Sequence, residues 1–323
     1  MKGIIYSLPD QIRRSLSSVP AVAVRRRSLD RVICCGMGGS GISADILAAL
    51  YPEIPVVANK DYQVPMYAGR NDLAIFISYS GNTEETLNNY RQLARKAGSR
   101  VIITSGGALY NRPADFKVRV PSGLPPRGAL GYLFTPLPMV LHRFGLIRSD
   151  PRPSLAALAS FLTHARDKLC RRARSWAGRF RGKLPLLYAD TAAFGAVANR
   201  WRCQLNENAK ILCHTGILPE MNHNELVGLG RPKRFNRDIL IVFLRDPESS
   251  PRNARRIAVM KDLIRNDLRD IIEIEPEGRN RIQRMFWTVL LGDFISYYLA
   301  VLTGVDPLPV KRIEYLKKKL KDR

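Results

Sequence analysis

Histidine is scarce in this chain, cysteine follows no pattern, and acidic residues are heavily outnumbered. Only four histidines occur in 323 residues, and His142, His164 and His214 stand at no ligand spacing from His223, so no metal site is expected. The five cysteines, Cys34, Cys35, Cys170, Cys203 and Cys213, match neither a disulfide framework nor a zinc motif. Cys34 and Cys35 fall inside an apolar run, where the thiol acts as a small hydrophobe, and a reducing cytosol is the expected compartment. Residues 1–16 mix polar and charged side chains and lack the apolar stretch of a signal peptide. Just one segment, residues 285–305, is apolar and long enough to span a membrane. It carries Gly292, Asp293 and Ser296 in its middle, and a helix buried between lobes or subunits is expected there rather than a membrane partner.

With 52 basic against 28 acidic residues the net charge is +24. Such a field attracts nucleic acid and phosphorylated metabolites alike. No nucleic-acid motif accompanies it. Its densest run, residues 166–183, is punctuated by Trp176 and Phe180 at helical spacing and reads as an amphipathic helix with a solvated basic face.

A hydrophobic content of 46% supplies a core for one large domain or two lobes. Short β-rich runs alternate with helical stretches along the whole chain, the pattern of a doubly wound α/β architecture. Strands are expected at 31–35, 55–58, 73–78, 101–104 and 117–120, with helices at 43–50 and 83–97. Most of these strands are continuous apolar runs, as befits a sheet covered on both faces. Ser-Asp-Pro-Arg-Pro within 148–153 marks a break, dividing the chain into lobes 1–150 and 151–323. The rhythm then resumes with strands at 184–189, 239–244 and 271–274 and helices at 196–205, 251–267 and 279–302.

Four loops carry chemistry. The first, Gly36-Met37-Gly38-Gly39-Ser40-Gly41, follows a strand and opens a helix, where glycines let backbone N–H groups approach an anion. Its letters also satisfy a dinucleotide fingerprint, but the acidic residue that should close the next strand is absent, since that strand ends at Ala58-Asn59. The second, Ser78-Tyr79-Ser80-Gly81-Asn82-Thr83-Glu84-Glu85-Thr86, gathers three hydroxyls and a glycine at a helix start. An ordinary N-cap needs one hydroxyl; Ser78, Ser80 and Thr83 together point to a phosphate cradle. In the third, Asn206-Glu207-Asn208-Ala209-Lys210, an acid between two amides is either a solvated helix end or a positioned base. In the fourth, Asn222-His223-Asn224-Glu225, the histidine sits at a loop-to-helix transition.

Together and in this order, the four segments resemble the SIS-type (sugar isomerase) bifunctional phosphoglucose/phosphomannose isomerases, from about residue 28 onward. The resemblance implies two SIS-type lobes, each a mostly parallel, flavodoxin-like sheet flanked by helices. It implies that Gly39, Ser40, Ser78, Ser80 and Thr83 hold a substrate phosphate and that Glu207 is the base. The stretch Pro125-Pro126-Arg127-Gly128-Ala129-Leu130-Gly131-Tyr132 is similar to the family's P-x-R-x-A-L-x-Y, making Arg127 the active-site arginine. Lys317 fits the family's C-terminal lysine, with Lys311 the alternative. Also implied are a cofactor-free and metal-free aldose–ketose isomerisation, and a cytoplasmic homodimer in which His223 reaches the neighbouring subunit's site. The alternatives are an isomerase for another phosphosugar and a non-catalytic sugar-phosphate sensor, which would keep the phosphate loop without needing Glu207 and His223.

Overall fold

A computed structural model describes residues 1–24, 28–268 and 270–321. Two parallel sheets organise it. The first comprises β1 (Arg31–Cys35), β2 (Val56–Asn59), β3 (Asp72–Ser78), β4 (Ser99–Thr104) and β5 (Phe116–Arg119), in the order β2-β1-β3-β4-β5. The second comprises β6 (Leu184–Ala189), β7 (His214–Ile217), β8 (Ile239–Leu244) and β9 (Ile271–Ile274), in the order β7-β6-β8-β9. In each sheet the winding reverses beside the first strand. A crevice opens at such a switch point, beyond the carboxyl ends of the strands.

Thirteen α-helices connect and cover the strands among the described residues. Those of the first half are α1 (Lys2–Tyr6), α2 (Leu8–Ser15), α3 (Gly39–Leu50), α4 (Glu84–Leu93), α5 (Gly107–Tyr110), α6 (Leu130–Phe134) and α7 (Pro136–Arg143). The remainder are α8 (Arg152–Phe180), α9 (Ala192–Gln204), α10 (Glu225–Gly228), α11 (Pro251–Ile264), α12 (Arg281–Leu302) and α13 (Lys311–Lys321). All of β3, Asp-Leu-Ala-Ile-Phe-Ile-Ser, is buried, as a central strand covered on both faces must be.

Several boundaries differ from the sequence expectation for definite reasons. The prolines at 151 and 153 open α8 instead of merely breaking the chain, because the first helical turn has no N–H to lose. The basic run is therefore the second half of a 29-residue helix, and Arg181 and Lys183 lie past its end. Helix α3 starts at Gly39 rather than residue 43 because the glycine loop itself winds into the helix. Strand β7, which the sequence reading missed, is the edge strand His-Thr-Gly-Ile with a single buried residue; it has too little apolar content to register as a strand.

The apolar stretch at 285–305 belongs to α12. That helix is long and apolar enough to cross a membrane, yet most of it is buried inside the protein. It packs against α8 and α9, and one apolar core joins these helices to α2, α3 and α6 of the first half. The rings of Phe134 and Phe286 meet at 4.9 Å across that junction. On α9, the Trp201 indole N–H donates to the Thr288 carbonyl at 2.8 Å. Gly292 makes room for that indole, since a Cβ there would stand 2.2 Å from its atoms. Gly292→Ala should therefore overpack the core and cost about 1–3 kcal/mol, read as a fall in thermal unfolding temperature. Unchanged stability would show that the α9–α12 contact is looser than described.

Candidate active site

The glycine loop leaves β1 and the hydroxyl loop leaves β3, so the two lie side by side at the first sheet's switch point. Ser40 is buried in the first turn of α3. In the second loop the Ser78 and Thr83 hydroxyls meet at 2.8 Å. The Gly81 N–H donates to Ser78 Oγ at 3.1 Å and the Asn82 N–H to Ser80 Oγ at 3.3 Å. Thr83 occupies the N-cap position of α4, but its hydroxyl makes no capping bond. Gly81 has a φ of +69°, and a Cβ would stand 1.7 Å from the Gly106 carbonyl; only glycine fits. The loop is thus a tight, preformed turn that gathers hydroxyls at the start of a helix, a setting suited to an anion.

Gly39 connects this cradle to the next group. A Cβ on Gly39 would lie 3.0 Å from the Pro126 carbonyl and 3.4 Å from Arg127 Cα. The glycine loop therefore presses against the 3-10 turn Pro126–Gly128. Arg127 itself is buried. Its Nε donates to Asn208 Oδ1 at 2.7 Å, and its Nη1 lies 3.6 Å from Glu207 Oε2. Its Nη2 donates to the carbonyls of Pro307 and Leu308, the latter at 2.9 Å. Burial pulls the Arg127 pKa below its usual value, while the Glu207 carboxylate pushes it up and Arg200 pushes it down; a guanidinium nonetheless stays charged.

Glu207 sits in a π turn, Leu205–Ala209, that continues α9. Such wide turns often mark functional positions. The neighbouring amides are engaged elsewhere. Asn208 faces Arg127 and donates to Ser296 Oγ at 3.0 Å, and Asn206 faces the carbonyls of Arg202 and Ile211. Neither amide orients the carboxylate; the arginine stands beside it instead. The Glu207 side chain is 27% exposed, open enough to meet a ligand.

Sequence reasoning missed what holds Arg127. Arg200, on α9, donates to both carboxylate oxygens of Asp293 on α12, at 3.1 and 2.8 Å, and to the Arg127 carbonyl at 2.7 Å. The signal was present: an aspartate in the middle of an otherwise apolar helix needs a buried partner.

Not every expected residue converges here. His223, in the 3-10 turn Glu220–His223 of the second half, is exposed. Among the described residues no hydrogen bond or ion pair joins it to Glu207 or Arg127. Lys311 and Lys317 are exposed along α13, whose Ile313, Leu316 and Leu320 also face solvent. The structure thus brings together Ser78, Thr83, Ser80, the Gly39–Ser40 turn, Arg127 and Glu207, and leaves His223 and the C-terminal lysines outside.

The second sheet's switch point has a different character. Asp190, following β6, is buried; it accepts from Arg245 Nε at 3.1 Å and from the Asp246 N–H at 2.7 Å. Burial pushes its carboxyl up to about 6 against those partners. A buried carboxylate with its arginine already bound offers a phosphate nothing, in contrast to the hydroxyls and glycines of the first sheet.

Comparisons with known proteins agree with this fold. Residues 27–124 match the SIS domain family, and residues 170–320 match the bacterial phospho-glucose isomerase C-terminal SIS domain. The bifunctional phosphoglucose/phosphomannose isomerase of Caldicellulosiruptor bescii is 37% identical, over 98% of this chain and 97% of its own length. The one from Thermoplasma volcanium is 33% identical over 98% of both chains. Among solved structures, the tagatose-6-phosphate ketose/aldose isomerase of Escherichia coli has a TM-score of 0.72 at 16% identity, covering 95% of this chain and 93% of that one. At that identity the likeness is one of fold.

The Arg200–Asp293 pair makes a stability claim. Asp293→Asn should leave a buried guanidinium without its counter-charge and cost about 3–5 kcal/mol, whereas Arg200→Met combined with Asp293→Leu should recover much of the loss. Denaturant unfolding of both variants checks this, and a double variant no better than the single would contradict it.

Proposed function

The chain belongs to the bifunctional phosphoglucose/phosphomannose isomerases, and from that premise we propose that it interconverts glucose-6-phosphate, and mannose-6-phosphate, with fructose-6-phosphate through a cis-enediolate. The observation that carries the reading is the Arg127–Glu207 contact at 3.6 Å, beside a glycine loop that presses on the Arg127 turn. A base, a cation and a phosphate cradle are the parts this reaction needs.

In the proposed cycle the sugar phosphate binds to Ser78, Ser80, Thr83 and the Gly39–Ser40 turn. The Glu207 carboxylate removes the C2 proton of the open-chain aldose and returns it to C1, while a hydroxyl proton passes from O2 to O1 of the enediolate, so the carboxylate is restored and the net change is an isomerisation. Arg127 lies beside the enediolate oxygens and offsets their charge as it forms, without reorganising. His223 and Lys317, or Lys311 in its stead, assist ring opening. Accepting both C2 epimers follows if one base serves after rotation about C2–C3. No cofactor or metal takes part, and the reaction runs in the cytoplasm.

Two further elements belong to the same proposal. The chain divides into lobes 1–150 and 151–323, and it works as a homodimer in which His223 completes the other subunit's site. The exposed position of His223 and the uncovered apolar residues of α13 support this arrangement.

Purified protein with EDTA present should convert fructose-6-phosphate to both aldose phosphates. Glu207→Gln should slow both by about 10²–10⁴-fold. Loss of activity in EDTA, or a variant as fast as the parent, would defeat the mechanism. Mixing and refolding inactive Glu207→Gln with inactive His223→Asn should restore about a quarter of the parent activity, because half of the random dimers are mixed and each holds one intact site. No recovery would place His223 in its own subunit's site, and a His223→Asn variant as active as the parent would place it in none.

A further inference from the structure

We propose that Lys210 is a positioning residue for this isomerisation: its ammonium latches the Glu207 turn to the C-terminal strap 306–309, from which α13 departs. The inference rests on the function proposed above.

Lys210 Nζ donates to the Glu207 carbonyl and, at 2.8 Å, to the Pro309 carbonyl. One side chain thus grips the segment carrying the base and the segment leading to Lys311 and Lys317. The strap is gripped a second time by Arg127 Nη2 on the carbonyls of Pro307 and Leu308. Asp306 holds its own bend by accepting from the Leu308 N–H at 2.9 Å. Two cations therefore fix three consecutive carbonyls, and both cations touch Glu207, one at its carboxylate and one at its backbone.

The backbone supplies a separate observation. Lys210 is the one non-glycine residue with positive φ among the described residues, at +59°. It stands where the chain leaves the π turn in left-handed conformation, a position that disfavours any L side chain and suits glycine. A lysine held there against that preference marks a need for its ammonium. Burial and the nearby Arg127 charge also pull its pKa down from the usual lysine value, as expected of an ammonium set close to the site's own cation.

The test compares Lys210→Gly, Lys210→Met and Lys210→Arg in the full-length protein. Glycine relieves the backbone and removes the latch; methionine removes only the latch; arginine keeps a charge of similar reach. Loss of these charge-assisted bonds should lower kcat about tenfold or more in the glycine and methionine variants, with KM changed far less, and arginine should recover part of it. Amide exchange should quicken at residues 306, 308, 310 and 311 in both slow variants, while protection in the buried α12 stays as in the parent. A glycine variant with parent kcat and parent exchange in the strap would overturn the latch. If the parent shows no isomerase activity, the function proposed above fails, and the exchange comparison alone still decides whether Lys210 holds the strap.

Discussion

The structure depends on keeping one buried guanidinium satisfied. Arg127 is withdrawn from water between the two sheets' domains of the chain, where an unpaired charge would be costly. Its donors are shared among Asn208, the carbonyls of Pro307 and Leu308, and the nearby Glu207 carboxylate. Its own carbonyl is held by Arg200, which is in turn neutralised by Asp293. Residues 127, 200, 207–208, 293 and 307–308 are distant in sequence and come from both halves of the chain, so satisfying Arg127 fixes the geometry around Glu207. The tight α9–α12 contact, with the Trp201 indole over Gly292, is the apolar counterpart of the same joint.

The two switch points show how one architecture is specialised by side chains alone. After β1 and β3 the chain places glycines and hydroxyls, giving neutral donors that can surround an anion. After β6 and β8 it places Asp190 and Arg245, which satisfy one another. Only the first of these arrangements leaves donors for an anion, and the glycine loop there presses on the turn that carries Arg127.

Much of this was legible in the sequence because it is local. The glycine loop, the 78–83 hydroxyls and the apolar strands each announce themselves within a few residues, and the loops lie where the strand-to-helix pattern put them. What was not legible depends on tertiary partners. That Asn208 serves Arg127 rather than Glu207, that the partner Asp293 calls for is Arg200, and that the carbonyls of 307–309 matter at all are facts of packing, which no local pattern names. Proline at 151 and 153 was ambiguous because the residue that ends a helix also starts one, and β7 was silent because an edge strand needs little apolar content.

The central claim is that phosphate cradle, base and guanidinium form one site at the first sheet's switch point, and a complex with a stable enediolate analogue tests it most directly. A crystal structure with a sugar-acid phosphate that mimics the enediolate should show its phosphate on Ser78, Ser80 and Thr83. Its carboxylate should lie against Arg127, with Glu207 within hydrogen-bond reach of the C1–C2 end. A phosphate bound at the Asp190 end of the second sheet, or a ligand whose reacting carbons lie far from Glu207, would contradict the account.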